Sequence, residues 1–459
     1  MRRSSSLSMF AICLTIVLVM GSIVYCDAGG DIAAAAPVSG RQTLPGDKTN
    51  CFSPPGLAGT VLYTWSDATA PSIYYLVLHH IGLQVSTPSV LSYQLNLHPF
   101  MVIAQLKFSP DGQAIAFKDG SLGQDEAFAL SIFDLKTGKV VNVDKPIPAM
   151  INATPVAWSP NSRYVAYQYG DFMYAEGHYE PPQLWIFDRV SGQSHLVVRH
   201  ARLTDIAWTA KNRLLYSLSP AQQRRPDGYF VQPKGCSRVY QVDPLGNWQP
   251  SLLLPDGKSP TPSPDGNWIA VFHWRQHRYD LTMFPLHGGK PVYLRPLQQI
   301  DGNTLLWSAD SRHIYRVSVT EKNEREMVVS FFDTSVTMGT ERAITAVRYH
   351  ATGGYVTTRG FIGYRLITPL AVSGDEHYLV YSLEKVSNEG ENGRLTWHEY
   401  LYALDLAKRK VVPVCQVAGY GGIDWHDESM LRQPNVMKNK VIDGRSCCIT
   451  PSIEHGAVK

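Results

Sequence analysis

The chain has 459 residues, 44% of them hydrophobic and 18% charged, with 42 basic and 39 acidic side chains giving a formal charge of +3. That apolar content excludes intrinsic disorder, and the near balance of charge excludes a wholesale nucleic-acid binder. Thirty prolines, 36 glycines, 24 tyrosines and 10 tryptophans point to many turns joining aromatic-rich strands.

At the N-terminus, Arg2 and Arg3 precede a polar serine stretch, and an apolar run of 18 residues follows from Met9 to Cys26. A basic segment ahead of an apolar one is the layout of an export signal, and this length also borders on a short membrane anchor. Small residues around Ala28 and Ala35 permit cleavage. Cys26 raises a lipidated alternative, although Tyr25 is bulkier than the small residue usual before a lipidated cysteine. On each reading the body lies outside the cytoplasm, secreted or anchored by residues 9–26. Residues 1–26 are therefore expected as signal peptide or anchor, 27–50 as a flexible linker, 51–433 as the folded body and 434–459 as a tail.

Cys13 and Cys26 fall in the signal, which leaves Cys51, Cys236, Cys415, Cys447 and Cys448. No spacing among them reads as a zinc site. Cys51 and the Cys447–Cys448 pair sit at opposite ends of the body, so a disulfide between them is expected if the fold brings its ends together. Unpaired thiols are the alternative, and five cysteines leave at least one unpaired within the chain.

The body repeats one unit. LKFSPDGQAIAF at 106–117 is echoed by VAWSPNSRYVAY at 156–167, IAWTAKNRLLY at 206–216 and TPSPDGNWIAVF at 261–272. LLWSADSRHIY at 305–315, LAVSGDEHYLVY at 370–381 and IDWHDESML at 423–431 continue the series. The residues before the turn are Phe108, Trp158, Trp208, Pro262, Trp307, Val372 and Trp425, spaced by 50, 50, 54, 45, 65 and 53. Each copy places two short apolar strands around a turn of Ser-Pro-Asp-Gly type, in whose fuller copies Pro pre-sets φ and Gly accepts a positive one. A second hairpin cue of the form apolar-apolar-Asp-x-x-x-Gly follows, as at Ile132–Gly138 and Ile186–Gly192. Looser copies are Val242–Asp243, Phe332–Asp333 and Leu404–Asp405. Four strands per unit of this length predict an all-β propeller.

The ends complete the ring. Strands are expected at 59–65, 72–79 and 83–89 without a first strand before them, whereas the last repeat has a first strand and no successor. Joining them in one shared closing blade gives seven four-stranded blades; six is the alternative if the N-terminal strands form a cap. The F/W-S-P-D-G-x-x-I-A-F pattern at Phe108, Trp158, Pro262 and Trp307, with weaker copies at Trp208, Val372 and Trp425, resembles the TolB-like, WD-type propeller repeat of periplasmic and secreted proteins. The resemblance covers roughly residues 58–433. It implies a fold that hosts binding proteins, enzymes and scaffolds alike.

Variable loops between second and third strands are expected to gather on one rim, where rigid rings place recognition. The 168–183 loop offers Tyr174 and Tyr179, and the 219–236 loop offers Arg224, Arg225 and Tyr229. The 272–280 loop offers Trp274, Arg275, His277 and Arg278, and the 384–399 loop offers Trp397 and His398. Tyr, Trp and Arg are the anchor types of contact patches, so a protein, peptide or glycan partner is expected, with no nucleic acid and no cofactor or metal. The chain reads as a non-catalytic recognition module or scaffold of the cell envelope.

The alternative is a lyase or hydrolase acting on a carbohydrate or small cyclic substrate in the central channel. His273, His277, His398, Asp424, His426 and Asp427 are the residue types it could use. His79–His80 and His426–Asp427 also read as turn residues, as do Asp111, Asp265 and Asp310. No Gly-x-Ser-x-Gly elbow, phosphate loop, EF-hand or HExxH motif occurs. Asn152-Ala153-Thr154 is a lone glycosylation sequon.

Overall fold

The computed structural model describes residues 49–66, 73–82, 90–96, 101–121, 127–143, 147–148, 156–169, 183–199, 202–219, 223–224, 230–231, 237–275, 278–294, 305–323, 326–350, 363–388, 395–418 and 423–427. These form seven antiparallel four-stranded blades in a ring, with no helix among them. The expected signal, the linker up to residue 48, Cys236, the sequon and the tail lie outside the described residues.

Blades 1 to 6 each follow the chain. Their first strands are Met101–Phe108, Val156–Trp158, Arg202–Trp208, Lys258–Pro262, Leu305–Trp307 and Gly363–Val372. First strands of successive blades approach one another, so they line the centre of the ring. Blade 7 is composite: Ile423–His426 is its inner strand, and Gly59–Ser66, Ile73–Ile81 and Val90–Asn96 lie outside it. The outermost of these lies beyond the expected 83–89. His79 and His80 belong to a strand rather than a turn, with His80 Nδ1 and Thr60 Oγ1 2.7 Å apart across the strand pair.

Three local interactions explain why the repeat makes a blade. The turn between first and second strands is closed by its serine. In blade 1, Ser109 Oγ donates to Asp111 Oδ1 at 2.5 Å and accepts from Ala114 N at 2.9 Å, while Asp111 Oδ1 accepts from Gln113 N at 3.0 Å. Blades 4, 5 and 6 repeat this with Ser263–Asp265, Ser308–Asp310 and Ser373–Asp375. Asp111, Asp265 and Asp310 are thus turn residues, as the pattern suggested. The tryptophan before the turn ties its blade to the one before: Trp158, Trp208 and Trp307 Nε1 donate to the carbonyls of Lys107, Ala157 and Thr261 at 3.0, 3.0 and 2.9 Å.

The third interaction links turn to turn. Ser162, Asn212, Ser311 and Glu376 occupy left-handed backbone, with φ of 58°, 56°, 61° and 59°. A non-glycine residue there is costly. Each of these side chains accepts a backbone N–H of the preceding blade's turn: Asp111 N to Ser162 Oγ, Asn161 N to Asn212 Oδ1, Asp265 N to Ser311 Oγ and Asp310 N to Glu376 Oε1. Gly374 N reaches Asp427 Oδ2 in the closing blade at 2.7 Å in the same way. In blade 1 the left-handed residue is Gly112, and a Cβ there would come within 2.9 Å of His426 Nε2.

Closure depends on the inner strand of blade 7. Asp424 accepts from Lys107 Nζ and Phe108 N, both at 2.8 Å, stitching blade 7 to blade 1. Trp425 packs so closely on Gly59 that an added Cβ would lie 2.2 Å from the indole.

The disulfide differs from expectation. Cys51 is bonded to Cys415, not to the C-terminal cysteines. The physical reason is register: Asn50–Cys51 adds as a fifth strand to the outer edge of blade 6, where Cys51 faces Cys415. The bridge fastens the entry to blade 7 onto the blade before it.

The looser hairpin cue at Phe332–Asp333 also moves. Both residues sit inside a strand, Glu326–Ser335, and the turn follows at Ser335–Gly339. Asp333 is therefore released from turn duty and is buried, bonded to His313 Nδ1 at 2.7 Å and to Arg342 Nε at 2.9 Å.

Two predictions follow from these contacts. Ser311→Ala keeps the left-handed backbone and loses the inter-turn acceptor, so it should lower unfolding free energy by about 1–2 kcal/mol, with Ser311→Gly recovering part of the loss. Urea denaturation of the two variants checks this; equal stability of both with wild type rules out the inter-turn bond as a stabilising device. Replacing Cys51 and Cys415 together by Ser should cost about 2–4 kcal/mol, because the bridge closes a segment of 364 residues. The readout is the same denaturation with and without reductant, where reductant should shift only the wild type.

Candidate recognition site

The hairpin turns just described occupy one face of the ring. Blade-to-blade connections and the links between second and third strands fall on the other, the loop face. Tyr174, Tyr179, Arg225, Tyr229 and His277 lie outside the described residues. The remaining predicted positions are on strands. Arg224 pairs with Phe230 in a small two-stranded ribbon. Trp274 and Arg275 end the second strand of blade 4, Trp268–Arg275, opposite Tyr279 and Arg278 of Arg278–Pro285. The strand pair thus runs to Arg275 and resumes at Arg278, so 272–275 and 278–280, expected as loop, are strand. In blade 6, Trp397 and His398 lie in Leu395–Asp405, and the second strand Tyr378–Asn388 also extends into the expected loop.

Among the described residues, the side chains considered for channel chemistry do not converge. His273 is on the loop face of blade 4, with Nε2 2.8 Å from Asp256 Oδ2. Asp424 is taken up by Lys107 and Phe108 N. His426 rests against the Phe108 ring and Asp427 accepts from Gly374 N, both on the turn face. His398 belongs to the third strand of blade 6. Among the described residues no group of three or more His, Cys, Asp or Glu side chains is placed to hold a metal ion.

Other polar groups, absent from the motif reading, gather near the His273 hairpin. Asp205 in the first strand of blade 3 accepts from Ser259 Oγ at 2.7 Å, and Ser259 N donates to Ser217 Oγ at 3.3 Å. Ser259 stands at a strand bulge with φ of 53°. Burial holds the neighbouring Lys258 ammonium below its usual value, opposed by the charge of Asp205. Ser219 and Ser237 are 3.0 Å apart beside them. These groups flank the ends of both the 219–236 and 272–280 segments. Only Asp, Lys and Ser within strands signal them, and nothing in the repeat pattern distinguishes them.

Two carboxyl groups among the described residues are pushed strongly upward. Burial pushes Asp119 up to about 6, against the lowering effect of Ser131, whose Oγ donates to Asp119 Oδ1 at 2.7 Å. Burial, with the charge of Glu384 directly across the strand pair, pushes Glu399 up to about 8. Like-charged residues facing each other across a ladder repel, which adds to the cost of ionising Glu399.

No family model matches the chain, and no curated protein matches it. Among solved structures it is similar to TolB from Acinetobacter baumannii, at 16% identity over 62% of each chain with a TM-score of 0.37. It thus spans under two thirds of that protein's length. An oligogalacturonate lyase in complex with manganese matches at 14% identity over 78% of this chain and 85% of the other, with a TM-score of 0.43. The periplasmic gluconolactonase of Pseudomonas aeruginosa matches at 13% identity over 80% and 99%, with a TM-score of 0.46. At these identities and scores the likenesses concern the fold and say nothing about chemistry. TolB-like propellers are among the neighbours, and nothing supports the narrower WD-type description.

The Glu399 carboxyl generates a pH prediction. Its folded value of about 8 lies above the ordinary 4.5, so the native state binds the extra proton and stability falls as pH rises through this window. Glu399→Gln should flatten that fall. Thermal melts from pH 5 to pH 8 should show a steeper loss for wild type than for the variant; parallel curves would mean that the carboxyl is not protonated in the fold.

Proposed function

We propose that the protein is an exported propeller whose loop face recognises a protein, peptide or glycan in the cell envelope, without catalysing a reaction. The observation that carries this reading is the division of labour between the faces. On the turn face, serine, asparagine, aspartate and glutamate side chains are committed to blade-to-blade bonds. On the loop face, the blade 4 hairpin continues to the Arg275–Arg278 pair and brings Trp274 and two arginines to its end. Aromatic and guanidinium residues are the types that anchor contact patches, and a strand pair places them at fixed register positions. The Cys51–Cys415 disulfide supports an oxidising compartment, in keeping with the basic and apolar N-terminus.

A channel lyase or hydrolase has less support, since its candidate acids and bases are dispersed over both faces and several blades. The Asp205–Ser259–Lys258 group is the part of the inner wall that such a reading would have to use.

The test compares wild-type residues 50–459 with a Trp274→Ala/Arg275→Ala double variant, both immobilised, against the host's envelope extract and a glycan array. The double variant should keep its melting temperature and lose a partner held by wild type. Unchanged capture by a folded double variant removes the blade 4 hairpin from the site. Turnover of an array glycan by wild type replaces the recognition reading with the enzymatic one.

A further inference from the structure

The junction of blades 5 and 6 carries a second feature, on the turn face and separate from the recognition rim. A cavity of about 250 Å³ opens there, lined by Tyr315, Asp333, Arg342, Ile344, Leu406 and Arg409 among others. Arg409 is the unusual member. It ends the Asp405-x-x-x-Arg turn between the third and fourth strands of blade 6, with φ of 55°. The matching turns of blades 1, 2 and 5 place Gly138, Gly192 and Gly339 there, with φ of 68°, 69° and 64°. Glycine adopts this backbone freely and arginine does not.

In the inter-turn bonds of the ring, each non-glycine residue at positive φ uses its side chain to hold a neighbouring blade. Arg409 does not. Its guanidinium makes no hydrogen bond or ion pair among the described residues, and the carboxylate of its own turn, Asp405, is bonded by Lys408. Opposite it, Arg342 holds Asp333 Oδ2 through Nε and Nη2 at 2.9 and 2.7 Å, which fixes the guanidinium and leaves Nη1 without a protein partner there. The one carboxylate in the lining, Asp333, is matched by Arg342 and His313. The Tyr315 hydroxyl makes no hydrogen bond among the described residues. Ile344 and Leu406 supply an apolar wall.

We propose that this groove binds a small carboxylate on a short apolar stem, with Arg342 and Arg409 taking the carboxylate and Ile344 and Leu406 the stem. Guanidinium groups match carboxylate oxygens in geometry as well as charge. The volume is below the roughly 300–1,000 Å³ of sites for drug-sized ligands, so one branched side chain with its carboxylate is the fitting size. Such a group can come from a free organic acid or from the C-terminus of a peptide.

The test titrates the purified protein with N-acetyl-leucine, N-acetyl-leucine amide, the tripeptide Ala-Ala-Leu and its amide, followed by saturation-transfer NMR on the ligand. Saturable binding of either acid, absent for its amide, is expected; the tighter of the two acids identifies the source. Arg409→Gly separates function from folding. Glycine relaxes the backbone, so the variant should melt at the same temperature or about 1–2 °C higher, while affinity for the acid falls at least about tenfold. Arg342→Gln should weaken binding similarly. Equal binding of acid and amide, no saturable binding of either acid at 20 mM (an upper limit set on the order of a weak fragment's Kd), or unchanged affinity in Arg409→Gly would each overturn the proposal. None of these outcomes involves the blade 4 hairpin, so the recognition reading stands or falls independently.

Discussion

The ring rests on a hydrogen bond between a side chain in one turn and a backbone N–H in the turn before it. A propeller blade is a sheet with two large faces, and apolar packing alone holds neighbouring blades without fixing their rotation. The inter-turn bond fixes it. It is made by residues whose own backbone is unfavourable, such as Ser162, Asn212, Ser311 and Glu376, so strain inside one turn is offset by a contact with another blade. Local structure and ring geometry are thereby coupled. The tryptophan Nε1 bonds to preceding carbonyls add a second tie from nearer the channel.

Closure uses the same means with different residues. The last blade has no successor in sequence, so its inner strand must engage blade 1 directly. Asp424 does so through Lys107 and Phe108 N, and His426 fills the space that Gly112 leaves open. The Cys51–Cys415 bridge then holds the N-terminal entry against blade 6. Three of the six residues considered for channel chemistry, Asp424, His426 and Asp427, instead serve the closure of the ring. This reassignment is the main physical reason for favouring recognition over channel chemistry.

The fold was legible because its determinants are periodic. Seven copies of two apolar strands around a short polar turn, four of them Ser-x-Asp, report a closed ring of seven blades, with six as the alternative, without reference to contacts. The disulfide was not legible, since Cys51 and Cys415 become neighbours only through an edge-strand register that no local pattern encodes. Asp333 was misplaced because an apolar pair before an aspartate precedes a turn in blades 1 and 2 but lies two residues inside the strand in blade 5. The candidate site was legible only as a region. Aromatic and basic composition pointed to 272–280, whereas Lys258, Ser259 and Asp205 converge from two blades and carry no signature in either stretch. Glu399 is perturbed by burial and by the residue opposite, neither of which a linear reading contains.

A repeat fold supplies its own controls, since each blade position has counterparts that show what the architecture alone demands. Tyr63, Tyr167, Tyr216 and Tyr381 hold one buried position; in blade 5 it is Arg316, bonded to Glu341 at 2.9 and 3.0 Å and stacked on Phe332. That departure is answered within the protein by Glu341, which takes Nε and Nη2, while Nη1 stays buried without a hydrogen bond among the described residues. Ser259 departs in backbone but is bonded to Asp205 and Ser217, so it too is accounted for within the protein. Arg409 departs from glycine at the same energetic disadvantage and has no internal partner to offset it. Departures from the repeat therefore divide by whether the protein itself answers them. Those it does not answer are where interaction with something outside the ring is to be sought.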